Sequence, residues 1–518
     1  MIKFKQNKIK ASSFKISYDT LGSFRIELFE YDSNKGSNFY LYENNERVIF
    51  INTSYELKPD FLNNHTSDFY KFIDNTFISF CFDKQTKKLL IYTDYFGLQT
   101  VYYHKTHSEI VISPLINHFE SKENLNVNNE NLKEHFALGY VRNQESIFYD
   151  FPIFKKRKIY TIDTSLNISY SNYLSKIQYN SNSNSKNKVN FSNLKTALND
   201  DLRNSKNINI GITAGKDSQA LLSIVMGEDK NVNVSNFGFK DCDDVFTGHQ
   251  ISKDLNLNYN HINLCNEKEF NYYSSLISYF SSGLATSSYV DMLKYVDTNF
   301  KENEAFVMGE GGECVRIFYD DNDKFSHFIT PKYLLDNVFE DINYEHYKDI
   351  FKTNKDFINE FGVEYYREER LTGNFSKRNS ILSPYVNKLT PFLNKNFINC
   401  SFGLNSFTYK KNLIHNYLVS NNKKIKHYYE QNSYKNDSQI WHQRIDLITK
   451  KFVSIHNSYD YNELGIKKTG VIKCLKSMRS NKRAIYFILR LLTLIEFINS
   501  YRLKSFQTLE KNIFTFKN

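Results

Sequence analysis

Short apolar runs alternate with polar turns over the first 180 residues of the chain. Runs such as RVIFINT (47–53), KLLIYTD (88–94) and EIVISPLI (109–116) have the length of strands and are rich in β-branched and aromatic residues. This pattern predicts a β-rich fold for residues 1–179. A helical pattern interrupts it at NVNNENLKEHFALGYV, and strand-like runs return up to residue 174.

A second pattern begins after the polar stretch NSNSNSKNK, residues 180–188, which reads as a linker. Strand-like NINIGIT, NVNVSNFGF and YNHINL then alternate with helix-like DSQALLSIVMG and DVFTGHQISKDLN. Strand–helix alternation predicts a parallel sheet with helices on both faces. From about residue 268 the pattern is mostly helical, apart from the strand-like AFVMGEGG. The resulting division is 1–179, a linker at 180–188, a second domain at 189–465 and a basic helical extension at 466–518.

Charge is concentrated near the C-terminus. The formal net charge is +10, yet residues 467–504 alone carry ten Lys or Arg and one acid, Glu496. Within that segment AIYFILRLLTLIEFI is strongly apolar, but 15 residues are too few to span a bilayer comfortably. We therefore predict a buried helix, with contact between 467–504 and a membrane surface as the alternative. No recognised RNA module accompanies the basic segment.

The six cysteines are scattered, with no CxxC pair and no Cys/His ligand spacing. That distribution is typical of a reduced compartment without structural zinc. The basic start of the chain is not followed by an apolar segment, so no signal peptide is predicted and the expected location is the cytoplasm.

The clearest chemical signal lies where the strand NINIGIT meets a helix, at Thr213, Ala214, Gly215, Lys216, Asp217 and Ser218. Small residues allow close approach of the backbone, and amides at the helix N-terminus point at an anion. Asp217 would repel bare phosphate, which indicates a bridging Mg²⁺. Walker A and GxGxxG patterns do not fit this segment. The alternative is a simple corner in which Ser and Asp cap the helix.

The segment resembles the SGGxDS motif of the ATP pyrophosphatases, with Thr213 in place of Ser and Ala214 in place of the first Gly. In those enzymes the loop holds the pyrophosphate of ATP during adenylation. Further segments are similar, in order, to asparagine synthetases of the glutamine-hydrolysing type. They are the turn and tyrosine pair at Asp94, Phe96, Gly97, Tyr102 and Tyr103; the connector 135–163; the strand Phe237, Gly238 and Phe239 expected against adenine; the loop 307–320, which includes Gly309 and Gly311; and SPYVNKLTPFLNKNFI.

The resemblance implies an Ntn-hydrolase-like β sandwich followed by an α/β ATP-pyrophosphatase domain with a helical C-terminal lobe. The first domain departs from the family, since a glutaminase of this class needs an N-terminal Cys whose α-amine activates the thiol. Here Ile2 follows Met1, and Cys81 lies in an apolar, strand-like run. We therefore expect a degenerate glutaminase-like domain without amidase activity.

The loop 307–320 also departs from the family, since Gly312-Glu313-Cys314 replaces Ser-Asp-Glu. By position Glu313 would bind Mg²⁺ together with Asp217. Glu310 matches the glutamate that faces the acyl-adenylate, where it is expected to act in catalysis by orienting or deprotonating the amine. A late lysine near the phosphates is expected, with Lys435 the choice by position and Lys426 the rival. The altered surroundings indicate a substrate other than aspartate, or weakened activity.

Together these features predict a ligase that uses ATP and Mg²⁺ to activate a carboxylate for attack by ammonia or an amine. An intramolecular cyclase such as a lactam synthetase, and an amidotransferase acting on a surface polysaccharide, would use the same fold. An inactive scaffold and an RNA-modifying enzyme are alternatives of another class. The sequence leaves the two substrates open, and also the oligomeric state, with a homodimer as one option.

Overall fold

A computed structural model of the chain describes residues 5–30, 37–53, 57, 61–64, 69–73, 76–119, 125–173, 195–198, 202, 205–226, 230–238, 240, 242–300, 304–315, 329–352, 365–401, 413–420, 422–431, 444–503 and 509–516. The predicted linker at 180–188 lies outside them. The strands are β1 (Lys5–Ala11), β2 (Ser13–Asp19), β3 (Phe24–Glu30), β4 (Ser37–Glu43), β5 (Arg47–Thr53), β6 (Phe77–Asp83), β7 (Lys88–Thr93), β8 (Tyr102–Lys105), β9 (Glu109–Ser113), β10 (Lys158–Ile162), β11 (Ile168–Asn172), β12 (Asn207–Gly211), β13 (Asn231–Phe237), β14 (Asn258–Ile262), β15 (Glu304–Val307), β16 (Asn387–Leu389) and β17 (Leu509–Phe516).

The α-helices with described bounds are α1 (Phe61–Asn64), α2 (Asn129–Leu138), α3 (Lys216–Val225), α4 (Asp243–Asp254), α5 (Glu267–Phe280), α6 (Val290–Asn299), α7 (Lys332–Val338), α8 (Tyr344–Lys352), α9 (Ser376–Leu382), α10 (Lys395–Ser401), α11 (Leu413–Ser420), α12 (Lys423–Gln431), α13 (Ile445–His456), α14 (Lys468–Ser477) and α15 (Lys482–Leu503). Residues Tyr366–Phe375 form a π-helix directly before α9. The protein is therefore of the mixed α/β class.

Two antiparallel sheets pack face to face in the N-terminal part. Their strand orders are β1-β4-β5-β6-β7-β10-β11 and β17-β3-β2-β9-β8. Aromatic residues fill the space between them, where the Phe14 ring meets those of Phe50 and Phe80 edge to face at 5.6 and 5.5 Å. Because successive residues of a strand face opposite sides, β5 sends Phe50 into this core and Ile51 to the outer face. The prediction of a β-rich N-terminal region is confirmed.

The described residues between positions 57 and 73 contribute side chains to the outer face of the seven-stranded sheet. Leu57, Leu62, Phe69 and Ile73 form a second apolar cluster there, which includes Cys81. Strands that are buried on both faces appear in the sequence as continuous apolar runs, as β5 and β6 do. The expected burial of Cys81 is confirmed, since it is 2% exposed.

The third sheet is parallel, with the order β14-β13-β12-β15-β16. Ile208 and Ile210 of β12 pack on one face with residues of α3 and α11, and Phe306 of β15 packs on the other face with Phe300. The predicted alternation of strands and helices after the linker is confirmed in the described residues. The strand β16, at the edge of the sheet beside β15, has three residues and was not predicted from the pattern.

Helix α15 is buried in the helical part of the molecule. Its residues Ala484, Ile488, Leu492 and others in the apolar stretch are 0% exposed, and Ser278 of α5 donates a hydrogen bond to the carbonyl oxygen of Thr493 at 2.9 Å. By length and composition alone this helix could cross a membrane, but 67% of its most apolar window is buried here. The predicted buried helix is confirmed.

The prediction of a helical extension over 466–518 is wrong for its last part. Leu509–Phe516 is a strand that pairs antiparallel with β3, so the C-terminus returns to the N-terminal sandwich. The Phe516 ring stacks on Phe24 at 6.0 Å. The physical reason is that β3 would otherwise be an edge strand with unpaired backbone groups.

Candidate active site

The order of strands in the parallel sheet creates a crevice at its carboxyl edge. β12 lies between β13 and β15, and the chain builds outward from β12 first on one side and then on the other. In sheets of this kind, the loops that follow the two strands flanking the reversal separate, and ligands bind between them. Here those loops follow β12 and β15.

A cleft of about 790 Å³ lies at this position. It brings together most of the residues that the sequence predicted for the site. The lining residues include Thr213, Gly215, Asp217, Ser218, Phe237, Gly309, Glu310 and Glu313, with Asp244, Phe375 and Arg378 among those that were not predicted.

The loop after β12 is braced by its own hydrogen bonds. The amide of Thr213 donates to Ser218 Oγ at 3.1 Å, the amide of Gly215 donates to Thr213 Oγ1 at 3.0 Å, and Ser218 Oγ donates to the carbonyl of Gly215 at 3.0 Å. The amide of Ala214 donates to Asp244 Oδ1 at 2.7 Å. Three amides of the loop are thus engaged within the protein. An anion would bind at the first turn of α3, where helix amides lack acceptors within the helix.

The loop after β15 packs directly against the first turn of α3. A Cβ atom on Gly312 would lie 2.2 Å from Asp217 Oδ1, and one on Gly309 would lie 3.0 Å from the amide nitrogen of Ser218. Gly311 has φ +90° and lies against Leu393. Only glycine permits such close approach, so these residues join the two loops into one cradle.

The Asp217 carboxylate contacts a buried histidine. His415 Nε2 lies 2.7 Å from Asp217 Oδ1, and the His415 side chain is fully buried beside the Phe392 ring. Its Nδ1 has no hydrogen-bond partner among the described residues. His415 belongs to α11, 198 positions along the chain from Asp217, so no local pattern in the sequence pairs the two.

Glu313 is the second residue of a single 3-10 turn, Gly312–Val315, and its carboxylate is oriented by a phenol. Tyr366 OH donates to Glu313 Oε2 at 2.8 Å. Asp217 and Glu313 thus place two carboxylates in the lining of one cleft. The described residues contain no group of three His, Cys, Asp or Glu side chains able to hold a metal ion. Two carboxylates suit Mg²⁺ shared with phosphates, because that ion takes few protein ligands.

Glu310 is held between two cations. Arg378 donates to Glu310 Oε1 at 2.6 Å, and Lys388 Nζ lies 2.5 Å from Oε2. Burial by itself raises the pKa of the Glu310 carboxyl, but Lys388 and Arg378 outweigh burial and the pKa lies below its ordinary value. The guanidinium of Arg378 also stacks on the rings of Tyr289 and Phe375, at 4.8 and 5.1 Å. Glu310 is therefore a charged anchor and a weak proton acceptor.

The remaining predicted residues are placed as follows. Phe237, 38% exposed, presents its ring at the cleft, and Gly238 donates its amide to the carbonyl of Ile262 at 3.1 Å. Phe239 and Lys435 lie outside the described residues. Lys426 is exposed on α12 and does not line the cleft. Four more predicted residues are not in the lining: Lys216, which is the first residue of α3, and Ala214, Gly238 and Gly311, which lie in the loops.

Comparison with known proteins leaves the family of this chain open. No protein-family model matches the sequence. No curated protein matches it significantly either.

Proposed function

We propose that the chain is an ATP-dependent, amide-forming ligase of the asparagine-synthetase type, without glutaminase activity of its own. One observation carries the proposal: two glycine-containing loops meet at the reversal point of a parallel sheet, with Asp217 and Glu313 in the lining of the same cleft. A cleft of about 790 Å³ is large enough for a nucleotide with a small second substrate.

The proposed reaction has two steps. An oxygen of the substrate carboxylate attacks the α-phosphorus of ATP, and pyrophosphate leaves. An amine then attacks the acyl carbon, AMP leaves and the amine loses a proton. Activation is needed because oxide is a poor leaving group, and the protein contributes mainly by positioning and by offsetting charge.

The residues divide this work between them. The first turn of α3, from Lys216, would hold the pyrophosphate. Asp217 and Glu313 would hold Mg²⁺, which offsets phosphate charge when bound. The Arg378 guanidinium stacks on two aromatic rings and is held by Glu310, so it would orient an anionic part of the substrate.

The burial of Cys81 and the raised pKa of its thiol support a proposal without glutaminase activity. Cys81 is 2% exposed within the cluster outside the sandwich, and burial raises the pKa of its thiol to about 12. A thiol in that state is a poor nucleophile at neutral pH. Ammonia or an amine would therefore be supplied from solution or by the substrate, as in an intramolecular cyclase or an amidotransferase acting on a polysaccharide.

A second candidate is a nucleotide-binding scaffold without ligase activity. It is favoured by the neighbours of Glu310, because a carboxylate held charged between Arg378 and Lys388 is a poor base for the attacking amine. The two candidates differ in whether bound ATP reacts.

The test is pyrophosphate exchange into ATP, measured with the full-length protein, MgCl2 and a panel of carboxylic acids. The ligase proposal expects exchange that depends on one acid of the panel and on Mg²⁺. Binding of Mg-ATP in calorimetry with no exchange for any acid would favour the scaffold. No binding of Mg-ATP would exclude both.

A further inference from the structure

The π-helix Tyr366–Phe375 connects the N-terminal sandwich with the cleft. It contains ten residues, and π geometry is rare and usually limited to a single turn because its packing is poorer than that of an α-helix. A segment of this length needs contacts from outside to hold it. Those contacts come from both of its sides.

On the sandwich side, the π-helix is held by charged and polar groups. The two terminal guanidinium nitrogens of Arg157 donate to the carboxylate of Glu368, Nη1 at 3.0 Å. Lys156 donates to Thr372 Oγ1 at 2.9 Å, and Thr372 in turn donates to the carbonyl of Phe96 at 2.6 Å. The side chains of Arg157 and Glu368 are only 12% and 19% exposed. A bidentate pair that is largely shielded from water fixes geometry more strongly than a surface pair.

The connector after α2 adds three further contacts. The backbone amide of Asn143 donates to Glu369 Oε2 at 2.7 Å. The hydroxyl groups of Tyr140 and Tyr365 share a hydrogen bond at 2.6 Å. The Tyr140 ring also packs against Gly373, where an added Cβ would lie 2.5 Å from Tyr140 Cδ2. The face of the π-helix toward the sandwich is thus fixed at several points along its length.

On the cleft side, the same π-helix delivers Tyr366 to Glu313. Tyr366 is 1% exposed and donates to Glu313 Oε2 at 2.8 Å. Phe375, at the other end of the π-helix, lines the cleft and packs on the guanidinium of Arg378. The position of the π-helix therefore sets the position of two groups in the cleft.

We propose that the sandwich serves as a positioning device for the metal site: the Arg157–Glu368 pair holds the π-helix, and Tyr366 orients the Glu313 carboxylate toward the metal. This inference rests on the proposed function, because it assumes a divalent cation at Asp217 and Glu313. It gives the N-terminal domain a role that requires no nucleophile.

The chemistry of Glu313 explains why such a device is needed. Glutamate has one more rotatable bond than aspartate, so its carboxylate loses more freedom when it binds a metal. A fixed hydrogen-bond donor to a ligand carboxylate sets the plane of the carboxylate in advance, and loss of such a donor typically lowers metal affinity. Tyr366 is that donor, and it can act only from a fixed helix.

The experiment measures the Mg²⁺ concentration that gives half-maximal ATP binding, by calorimetry on the full-length protein. We expect Tyr366→Phe and Arg157→Glu each to raise that concentration about tenfold. Arg157→Lys keeps the positive charge beside Glu368 but cannot form both hydrogen bonds, so we expect its requirement to rise less, by about threefold. Arg47→Glu is the matched control, since Arg47 pairs with Asp83 in the same sandwich, away from the π-helix.

The outcomes separate the two proposals. If the original protein binds Mg-ATP and neither Tyr366→Phe nor Arg157→Glu changes the Mg²⁺ requirement, the positioning role is wrong and the proposed function stands. If the original protein does not bind Mg-ATP, the proposed function fails and the positioning role with it. Tyr366→Phe removes one hydroxyl group only and tests the contact with Glu313. An unchanged Mg²⁺ requirement in Arg157→Glu, or in Arg157→Lys if circular dichroism shows that Arg157→Glu does not fold, would overturn the role of the sandwich.

Discussion

Three acidic side chains of the cleft differ in their neighbours, and the neighbour decides what each carboxylate can do. Asp217 faces a buried imidazole, Glu313 a phenol and Glu310 two cations. A carboxylate between two cations stays charged and gives up its capacity to accept a proton, whereas a carboxylate oriented by a hydrogen-bond donor can still bind a metal. We therefore propose Asp217 and Glu313, rather than Glu310, as the metal ligands.

Replacing Asp217 tests that assignment. Asp217→Asn keeps the shape of the side chain but removes its negative charge, and an amide is a weaker ligand for Mg²⁺. We expect the affinity for ATP in the presence of Mg²⁺ to fall at least about tenfold, or ~1.4 kcal/mol, in calorimetry. Asp446→Asn is the control, because the Asp446 side chain is 83% exposed. Unchanged affinity in Asp217→Asn would contradict the assignment.

The close contact between the two loops gives a second prediction. In Gly312→Ala the new methyl group would lie 2.2 Å from Asp217 Oδ1 and 2.9 Å from Asp217 Cβ, so Asp217 or the loop that carries residue 312 must move. We expect a loss of about 1–3 kcal/mol in the free energy of unfolding, measured in urea, together with weaker Mg-ATP binding. Gly211→Ala is the control for stability, since its Cβ would meet only Phe306 at an ordinary 3.7 Å. Equal stability of the two variants would show that the loops are not in contact.

At the scale of elements, helix α15 contains the strongest conflict between composition and location. It is apolar enough to cross a membrane, yet it carries Glu496, which pairs with Lys451 at 2.8 Å inside the protein. The buried hydroxyls of Ser278 and Ser287, in neighbouring segments, form hydrogen bonds with Thr493 of α15. These polar contacts hold α15 at one position in the protein core, and lipid would not provide such contacts.

Truncating a side chain of α15 measures how much the core depends on it. Leu492 is 0% exposed, so Leu492→Ala should lower the free energy of unfolding by about 2–5 kcal/mol. Ile472→Ala on α14 is the matched control, since Ile472 is 39% exposed and should cost well under 1 kcal/mol. Chemical denaturation of both variants is the measurement. A small cost at Leu492 would mean that α15 is not packed as described.

At the scale of the whole molecule, the two ends of the chain belong to one body. The C-terminal strand β17 completes the sheet that begins with β2 and β3, and the buried helix α15 precedes it. The sandwich also holds the π-helix of the second domain, through Arg157 and Glu368. Stability of the sandwich and geometry of the cleft should therefore be linked.

Acid sensitivity of the sandwich follows from a buried histidine. Burial lowers the pKa of His118 to about 3, and its Nε2 has no hydrogen-bond partner among the described residues. The unfolded chain takes up a proton below about pH 6.5 while the folded chain does not, so stability is lost as pH falls from 6.5 toward 3. The expected contribution of His118 to the slope of the unfolding free energy against pH is about 1.4 kcal/mol per pH unit.

The measurement is the free energy of unfolding in urea between pH 6 and pH 4. His118→Gln cannot take up this proton, so its stability should depend less on pH, with the slope reduced by about 1.4 kcal/mol per unit. His107→Gln is the control, because His107 is exposed. Parallel pH profiles for the original protein and His118→Gln would contradict the prediction.

Local pattern was sufficient for much of the architecture. The spacing at which apolar residues recur along the chain distinguishes strands from helices. The β-rich region, the alternating region and the buried helix α15 could therefore be predicted. The loop after β12 could also be located, because small residues between a strand and a helix are a local signal. The short strand β16 and the strand β17 gave no such signal, since each depends on pairing with a strand that is distant in the sequence.

By itself, then, the sequence determined which segments form strands and helices and where the small residues and acids of one loop lie. Only the tertiary structure decided the partners of those acids. His415, Tyr366 and Arg378 come from distant parts of the chain, and the contacts that bring them to the cleft are made by packing between elements. The physical reason is range: periodicity and turn chemistry act over a few residues, whereas the electrostatic state of a carboxylate depends on whatever the fold places within a few ångströms of it.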